Sequence, residues 1–334
     1  MQTKAPHGVL GGGILIVPEE VCPQVVDRAK AFEAVEAVFA AMARDEATNF
    51  PVVREAIGHA DALYGFKSGF DRSGLVLGVK SGGYWPGNAE KGLTNHQSTV
   101  MLFDPDTGRL AALVGGNYLT AVRTAASSSV SIAHLSRPDA KVLGMIGAGH
   151  QSAFQLRAAL DKRPFERVVA WNPHPEMLPK LGAVAKECGL PFEAVSAEEV
   201  GAQADVIITI TSAFEPLLMK GWVKPGTHIA TMGTDTKGKQ EVDPALVAAA
   251  TLFTDEVAQS IAIGETQHAV GAGAVNAADI TPIGKVINGD HQGRTSADEI
   301  TLFDGTGVGL QDLAVAAVAA REAEERGLAT RATF

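Results

Sequence analysis

The segment Lys141–Leu160, KVLGMIGAGHQSAFQLRAAL, carries the clearest fold signal in the chain. Its apolar run Val142–Ile146 predicts a buried parallel strand, Gly147 and Gly149 predict a tight turn, and a helical pattern follows. Strand, glycine turn and helix in this order are typical of a dinucleotide-binding βαβ unit, in which a pyrophosphate lies against the turn and the first helical amides. The alternative is an ordinary glycine-rich turn that binds no ligand. The pattern of the chain after residue 160 distinguishes the two interpretations.

The chain after this turn alternates short apolar runs with helical patterns. Ser196 and Glu199 form a capping box at the start of one predicted helix. The predicted strands are Arg167–Trp171, Phe192–Ser196, Asp205–Thr211, Thr227–Gly233, Leu252–Thr254 and Ile300–Phe303, and the other predicted helices are Glu176–Cys188 and Pro244–Ala249. Gly271–Ser296 is glycine-rich and lacks periodicity, which predicts irregular structure. The alternation predicts a Rossmann-type, doubly wound parallel α/β sheet.

The chain before the turn has a different pattern. Met1–Gly13 is predicted to be a loose extension, Pro23–Glu46 an amphipathic helix and Thr120–Leu135 a long helix. Asp104–Gly108 is a hairpin turn, and apolar runs predict strands at Ala62–Lys67, Leu75–Lys80, Thr99–Phe103 and Leu110–Gly115. This region predicts a mainly antiparallel α+β domain. A final helix, Val308–Arg326, is expected to pack back on it.

Composition excludes several classes of function. The 334 residues are 46% hydrophobic and 20% charged, which is typical of a globular enzyme. A formal net charge of −10 argues against nucleic acid as a partner. No apolar run is long enough to span a membrane, and no signal peptide is expected. Cys22 and Cys188 match neither a disulfide framework nor a metal site, so we expect two buried thiols in a reducing cytoplasm and no bound metal.

Four separated blocks resemble the ornithine cyclodeaminase/mu-crystallin family, in the family's order. They are GLTNHQSTVMLFDPDTGRLAALVGGNYLTAVRTAASSSVSIAHL (residues 92–135), GMIGAGHQS, HIATMGTDTKGKQEVD and EITLFDGTGVGLQD. The resemblance implies an NAD(P)-dependent enzyme acting at the α-carbon of amino or imino acids. It also implies that residues 1–122 with 308–334 bind substrate and form a homodimer, and that residues 123–307 bind the dinucleotide. Residues 49–71, NFPVVREAIGHADALYGFKSGFD, are similar to the iminosuccinate reductase branch, from the bacterial β-hydroxyaspartate cycle.

The resemblance also implies roles for individual residues. Lys80 falls on the family's active-site lysine and Asp235 on its catalytic aspartate. Arg123 and Arg54 fall on arginines that bind the substrate carboxylate. Asn95 stands where cyclodeaminases have a substrate-binding threonine, and this departure disfavours a cyclodeaminase substrate.

The chemistry of three of these residues supports the same roles. The planar fork of Arg123 matches the two oxygens of a carboxylate. A desolvated Lys80 near other cations would have a lowered pKa and could exchange a proton with an imine nitrogen. Asp235 follows a strand of the predicted parallel sheet, where ligands bind. The alternatives are a solvated helix arginine, an edge lysine and a turn aspartate.

Apart from Thr124, which belongs to the predicted helix Thr120–Leu135, the predicted cofactor contacts cluster at the carboxyl ends of the predicted parallel strands. They are Thr124, Gly147, Ala148, Gly149, His150, Gln151, Asn172, Thr211, Ser212 and Gly233. The strand Arg167–Trp171 is followed by Asn172-Pro173-His174-Pro175, with neither the acid common in NAD enzymes nor an arginine for a 2′-phosphate. Asn172 could instead bind a ribose hydroxyl. We expect NAD, with NADP as the alternative.

The predicted function is an NAD(P)H-dependent imino acid reductase that reduces iminosuccinate to L-aspartate. Arg54, Lys67, Lys80 and Arg123 make the expected pocket strongly cationic, which suits a dicarboxylate. Lys67 lies one strand before Lys80 and would repel the distal ammonium of ornithine or lysine; alternatively it points to solvent. The other candidates are an ornithine or lysine cyclodeaminase, an alanine dehydrogenase-like enzyme and a non-catalytic mu-crystallin-like binding protein.

Overall fold

The computed structural model describes residues 13–333. Its strands are β1 (Ile14–Val17), β2 (Ala47–Asn49), β3 (Val53–Ala56), β4 (Leu63–Asp71), β5 (Val76–Tyr84), β6 (His96–Phe103), β7 (Leu110–Gly115), β8 (Val142–Ile146), β9 (Arg167–Trp171), β10 (Phe192–Ala194), β11 (Val206–Thr209), β12 (Phe214–Leu218), β13 (His228–Thr231), β14 (Gln240–Val242), β15 (Thr251–Thr254), β16 (Ile280–Pro282), β17 (Thr301–Asp304) and β18 (Thr330–Ala332).

The α-helices are α1 (Cys22–Val25), α2 (Arg28–Ala43), α3 (Asn117–Leu135), α4 (Ser152–Leu160), α5 (Leu178–Glu187), α6 (Ala197–Gln203), α7 (Pro244–Val247), α8 (Val257–Ile263), α9 (Gln267–Gly271), α10 (Ile283–Ile287) and α11 (Gly309–Glu325). Short 3₁₀ turns lie at Pro86–Lys91, Pro175–Met177, Lys220–Trp222 and Ala277–Asp279. None of the helices within residues 13–333 combines the length and the apolar character that crossing a membrane would need.

The chain divides into two compact units. Unit 1 is the chain up to Arg123 together with the segment from Val308 onward, and unit 2 runs from Thr124 to Gly307. The first boundary falls inside α3, one residue after the position expected from the sequence. Arg123 is therefore part of unit 1.

Unit 1 is built on a mainly antiparallel sheet. Its described strands follow the order β18–β1–β7–β6–β5–β4–β2, with β3 also paired to β4. The neighbours from β7 to β2 are antiparallel, whereas β1 runs parallel to β7. Helix α11 packs on α2, β4 and β5, as expected for the final helix. Gly78 on β5 leaves room for this packing, because a Cβ there would lie 2.9 Å from a methyl carbon of Leu313.

Unit 2 contains the predicted doubly wound parallel sheet. The order of its described strands is β10–β9–β8–β11–β13–β17–β15–β16, and all of these neighbours are parallel. The central strands β8, β11, β13 and β17 are almost fully buried, and their interior positions are apolar or glycine. The glycine turn follows β8, and the predicted cofactor residues Thr211 and Gly233 lie just after β11 and β13.

Two secondary-structure predictions are wrong. Pro23–Glu46 is not one helix, because the chain leaves the helical conformation at Val26 and Asp27 caps a new helix by accepting a hydrogen bond from the Lys30 amide. Gly271–Ser296 is not irregular throughout, since it contains β16 and α10. The short strands β1, β2, β3, β12, β14 and β18 were not predicted. The loose extension predicted at Met1–Gly13 lies outside the described residues except for Gly13.

Candidate functional site

In unit 1, two lysines face each other across neighbouring strands. Lys67 on β4 and Lys80 on β5 are directly opposite in the antiparallel register. Lys80 is 7% exposed, and Lys67 is half-buried. Side chains alternate between the two faces of a strand, so this pair shares its face with Gly78, which lies against α11. Lys67 and Lys80 therefore lie on the same face of the sheet.

Asp312 on α11 is the centre of the charged cluster, and the sequence did not single it out. Its Oδ1 atom accepts hydrogen bonds from Lys80 Nζ at 2.9 Å and from Arg123 Nε at 3.0 Å. Thr120, one helical turn before Arg123 on α3, accepts a further hydrogen bond from Lys80 Nζ at 3.2 Å. Although burial alone would raise it, Arg123 and Lys80 lower the pKa of Asp312 to about 2. Asp312 is therefore a permanent anion between two cations.

Lys80 has an unusual protonation behaviour. Burial lowers its pKa most, the Asp312 carboxylate opposes this effect, and the charges of Arg123 and Lys67 lower the pKa further, to about 7. At neutral pH the ammonium and the amine are both populated. Such a lysine can give and regain a proton near neutral pH.

Arg123 is held from one side. Its Nε donates to Asp312 and its Nη1 donates to Gln311 Oε1 at 2.9 Å. Within the described chain no protein acceptor binds Nη2. The terminal edge of the guanidinium is the part left for a ligand carboxylate.

Of the two remaining predicted substrate residues, one lies on the same sheet. Arg54 on the exposed strand β3 is opposite Gly65 on β4, two residues before Lys67. Asn95 belongs to the loop before β6, where its Oδ1 accepts from the Ala89 amide at 2.9 Å and its Nδ2 donates to the Tyr84 hydroxyl at 3.2 Å. These bonds brace the loop, and a substrate contact by Asn95 stays a prediction.

In unit 2, the glycine turn has the features that a dinucleotide needs. Gly147 has φ of +112°, and a Cβ there would lie 2.5 Å from the Ile210 carbonyl oxygen, so only glycine fits. A Cβ on Gly149 would have no neighbour within 4 Å, so the space above this residue is open. The backbone amides of residues 149–151 donate to no acceptor in the described chain. This turn therefore presents amides and free space at the start of α4.

Asn172 shapes this turn from the end of β9. Its Oδ1 accepts from the Ala148 amide at 3.0 Å, and its Nδ2 donates to the His174 carbonyl at 2.8 Å. The side chain is buried and connects the ends of β8 and β9. Its predicted contact with a ribose hydroxyl stays a prediction.

Glu241 on β14 is a second residue that the sequence did not reveal. Its buried carboxylate accepts from the Thr211 amide and hydroxyl at 2.6 and 2.8 Å, from the Gly233 amide at 3.0 Å and from the Thr209 hydroxyl at 2.7 Å. Burial raises the pKa of Glu241, but these four donors favour the anion. Burial and the nearby Glu241 charge raise the pKa of Glu265 to about 8.

Glu241 therefore fixes two predicted cofactor residues, Thr211 after β11 and Gly233 after β13. A Cβ on Gly233 would lie 2.5 Å from Glu241 Oε1, which explains the glycine. Of the other predicted contacts, Thr124 is buried on α3, whereas Ser212 and His150 are exposed, His150 beside the ring of Phe154.

Asp235 lies just beyond β13 and pairs with a lysine. Its Oδ1 accepts from Lys239 Nζ at 2.8 Å, and the same ammonium donates to the Gly233 carbonyl at 3.2 Å. The structure therefore ties Asp235 to the end of β13. Its catalytic role remains a prediction.

The two units define a class of protein. Unit 2 is a Rossmann-type unit with an open glycine turn, and unit 1 carries a buried Lys–Asp–Arg cluster. The model of the ornithine cyclodeaminase/mu-crystallin family matches residues 24–327. The chain belongs to this family.

Individual members of the family are similar to this chain over nearly its whole length. The chain is 63% identical over 316 residues to iminosuccinate reductase of Paracoccus denitrificans, covering 95% of this chain and 98% of that protein. The crystal structure of that reductase in complex with NAD⁺ superposes with a TM-score of 0.93 and 62% identity, over 96% of this chain and all of that one. An archaeal alanine dehydrogenase dimer with bound NAD superposes with a TM-score of 0.91 and 31% identity, over 96% of this chain and 99% of that one.

Proposed function

We propose that this chain is an NADH-dependent imino acid reductase that converts iminosuccinate to L-aspartate. The observation that carries the proposal is the buried Lys80–Asp312–Arg123 cluster with Lys67 opposite, in a chain 63% identical to an iminosuccinate reductase. In the balanced reaction a hydride adds to the imine carbon, the C=N π bond breaks, and a proton adds to nitrogen.

Unit 2 has the features that fit a dinucleotide. The open space at Gly149 and the amides of residues 149–151 suit a pyrophosphate, and Thr211 and Gly233 are held by Glu241 at the neighbouring strand ends. When bound there, NADH supplies the hydride. NAD is preferred over NADP because residues 172–175 include no arginine for a 2′-phosphate, and because the relative in the 62%-identical structure binds NAD⁺.

The charges of unit 1 support a dicarboxylate substrate. With Lys80 protonated, the cations Lys67, Lys80 and Arg123 oppose the single anion Asp312, which leaves two net positive charges. We assign one substrate carboxylate to the free edge of Arg123, assisted by Arg54, and the distal carboxylate to Lys67. A dicarboxylate carries two negative charges that balance this excess, whereas a monocarboxylate carries only one.

Lys80 is the proposed proton donor. Its ammonium has two of its three N–H groups on Asp312 and Thr120, and the third remains for the imine nitrogen. A pKa of about 7 makes the donor strong enough to protonate the nitrogen and able to recover its proton from solvent. Asp235 is kept as the second catalytic candidate on the strength of the family resemblance.

A homodimer through unit 1 is part of the proposal. Val53, Tyr64 and Phe66 form an apolar patch on β3 and β4, and they are 43%, 36% and 41% exposed. Val53 is directly opposite Phe66, and the rings of Tyr64 and Phe66 meet edge to face at 5.5 Å. An apolar sheet face of this kind is normally covered by another surface. Both cysteines are free thiols, which further suits the cytoplasm as the location, but only Cys22 is buried as expected, because Cys188 caps the exposed end of α5.

The substrate assignment is tested by comparing two carbonyl acids in the presence of ammonia. We expect kcat/KM with oxaloacetate to exceed that with pyruvate, and Lys67→Ala to lower the oxaloacetate value at least about tenfold while changing the pyruvate value little. Lys91→Ala, which removes an exposed lysine elsewhere in unit 1, is the matched control.

The other outcomes identify the alternatives. A preference for pyruvate would indicate an alanine dehydrogenase. Consumption of ornithine without net change in NADH would indicate a cyclodeaminase, and binding of NADH without turnover of any imino acid would indicate a mu-crystallin-like binding protein. Each of these results would reject iminosuccinate as the substrate.

A further inference from the structure

One carboxylate oxygen organises the catalytic cluster of unit 1. Asp312 Oδ1 accepts from both Lys80 and Arg123, which come from separate elements, β5 and α3. Its other oxygen, Oδ2, is buried and has no hydrogen-bond partner among the described residues. Gln311, the preceding residue on α11, holds the next nitrogen of Arg123. The first turn of α11 thus fixes both predicted functional cations.

We propose that Asp312 is a positioning residue: its carboxylate locks Lys80 and Arg123 into one geometry and keeps Lys80 charged for proton donation. This inference rests on the proposed reductase function and deepens it. Asp312 itself need not touch the substrate, because its ordered oxygen is already shared by two cations. Its location in the first turn of a helix also favours the anion.

The electrostatics around Lys80 depend on this residue. Facing Lys80 are Lys67 from β4, Arg123 from α3, His96 from β6 and Asp312 from α11. Burial and the charge of Lys80 lower the pKa of His96 to about 4, so His96 is neutral at pH 7. Asp312 is the one group of this set that raises the pKa of Lys80. Without it, two cations and burial would all favour the neutral amine, which has one proton fewer to give.

The test measures the protonation of Lys80 directly in the substrate-free protein. Lysine side chains are labelled with ¹³C at Cε, the Lys80 signal is assigned with Lys80→Arg, and its chemical shift is followed against pH. We expect the wild type to titrate near pH 7 and Asp312→Asn to titrate at least about one unit lower. Glu325→Gln makes the same charge change at an exposed position of α11 and should leave the Lys80 titration unchanged.

Activity supplies a second readout. The ratio of Asp312→Asn to wild-type kcat cancels the pH dependence of imine formation in solution. We expect this ratio to be about 0.1 or less at pH 7 and to rise as the pH is lowered. We expect Asp312→Glu, which retains the charge, to restore the Lys80 titration. An unshifted Lys80 signal in folded Asp312→Asn, or a kcat ratio independent of pH, would overturn the proposal.

A second variant keeps the test decisive if Asp312→Asn does not fold. In Arg123→Met the Asp312 carboxylate remains but binds only Lys80. The pKa of Lys80 should therefore rise, so its signal should titrate at higher pH than in the wild type. No shift, or a shift to lower pH, would contradict a shared carboxylate. Because the titration uses neither substrate nor NADH, its result is independent of whether iminosuccinate is the substrate.

Discussion

At the scale of single residues, the burial of Lys80 changes its protonation. Removing a lysine from water favours its neutral form, and the neighbouring cations Arg123 and Lys67 add to this effect. The Asp312 carboxylate raises the pKa of Lys80 and so opposes part of these two effects. The balance leaves Lys80 able to change its charge near neutrality, which an exposed lysine does not do.

This balance predicts a specific pH dependence. In the reductive direction the ammonium form of Lys80 is the active one, so kcat should fall as the pH rises through about 7, the pKa of the group. Lys80→Met should lower kcat by about 10²- to 10⁴-fold and abolish this alkaline limb. NADH affinity, measured by fluorescence titration, should stay unchanged. An alkaline limb that survives in Lys80→Met would assign it to another group.

Sequence patterns singled out Lys80 and Arg123, but neither Asp312, which binds both of them, nor Glu241, which holds Thr211 and Gly233. The two cations stand in motifs that carry the family resemblance. Asp312 lies 189 residues from Arg123, and an aspartate at the start of a helix is ordinarily a capping or dipole residue. Glu241 lies between Gln240 and Val242, and this local pattern does not indicate a buried carboxylate. Partners of this kind depend on long-range packing, which local sequence does not encode.

At the scale of elements, strand β8, the glycine turn and α4 show how the chain forms the turn that we propose binds the pyrophosphate. The strand was predicted with its observed bounds, because a fully buried parallel strand is a continuous apolar run. The turn follows from Gly147 and from the brace that Asn172 provides. Short edge strands such as β3 and β18 escaped prediction, since they are exposed and carry no apolar signature.

Gly149→Val should abolish NADH binding without unfolding the protein. A side chain at this position meets no protein atom, but it would occupy the space through which a pyrophosphate reaches the backbone. Fluorescence titration should show at least about 100-fold weaker binding, while the melting temperature changes little. Gly221→Val, at another open glycine of unit 2, is the control. Unchanged NADH affinity in Gly149→Val would exclude this turn as the phosphate site.

At the scale of the whole molecule, the boundary expected after residue 122 lies one residue from the observed first boundary between the two compact units. The reason is a change of period: apolar runs separated by hairpin turns before α3, and alternating strands and helices after it. The return of α11 to the first unit was predicted as well.

Assembly is the prediction that belongs to this scale. The patch formed by Val53, Tyr64 and Phe66 should be buried between two copies, so light scattering at micromolar concentration should give twice the mass of one chain. Phe66→Glu should shift the protein toward the monomer. Phe214→Glu, which changes an exposed aromatic residue of unit 2, should not. A wild-type protein with the mass of one chain would contradict a dimer.

The most direct test of the central claim follows the hydride itself. The enzyme is supplied with oxaloacetate, ammonia and NADH that is deuterated at C4 on both faces, and the products are identified by mass spectrometry and NMR. A reductase of iminosuccinate should form L-aspartate with one deuterium at Cα, at one equivalent of aspartate per NADH oxidised. Deuterated malate in place of aspartate, or aspartate without deuterium at Cα, would contradict imine reduction by this protein.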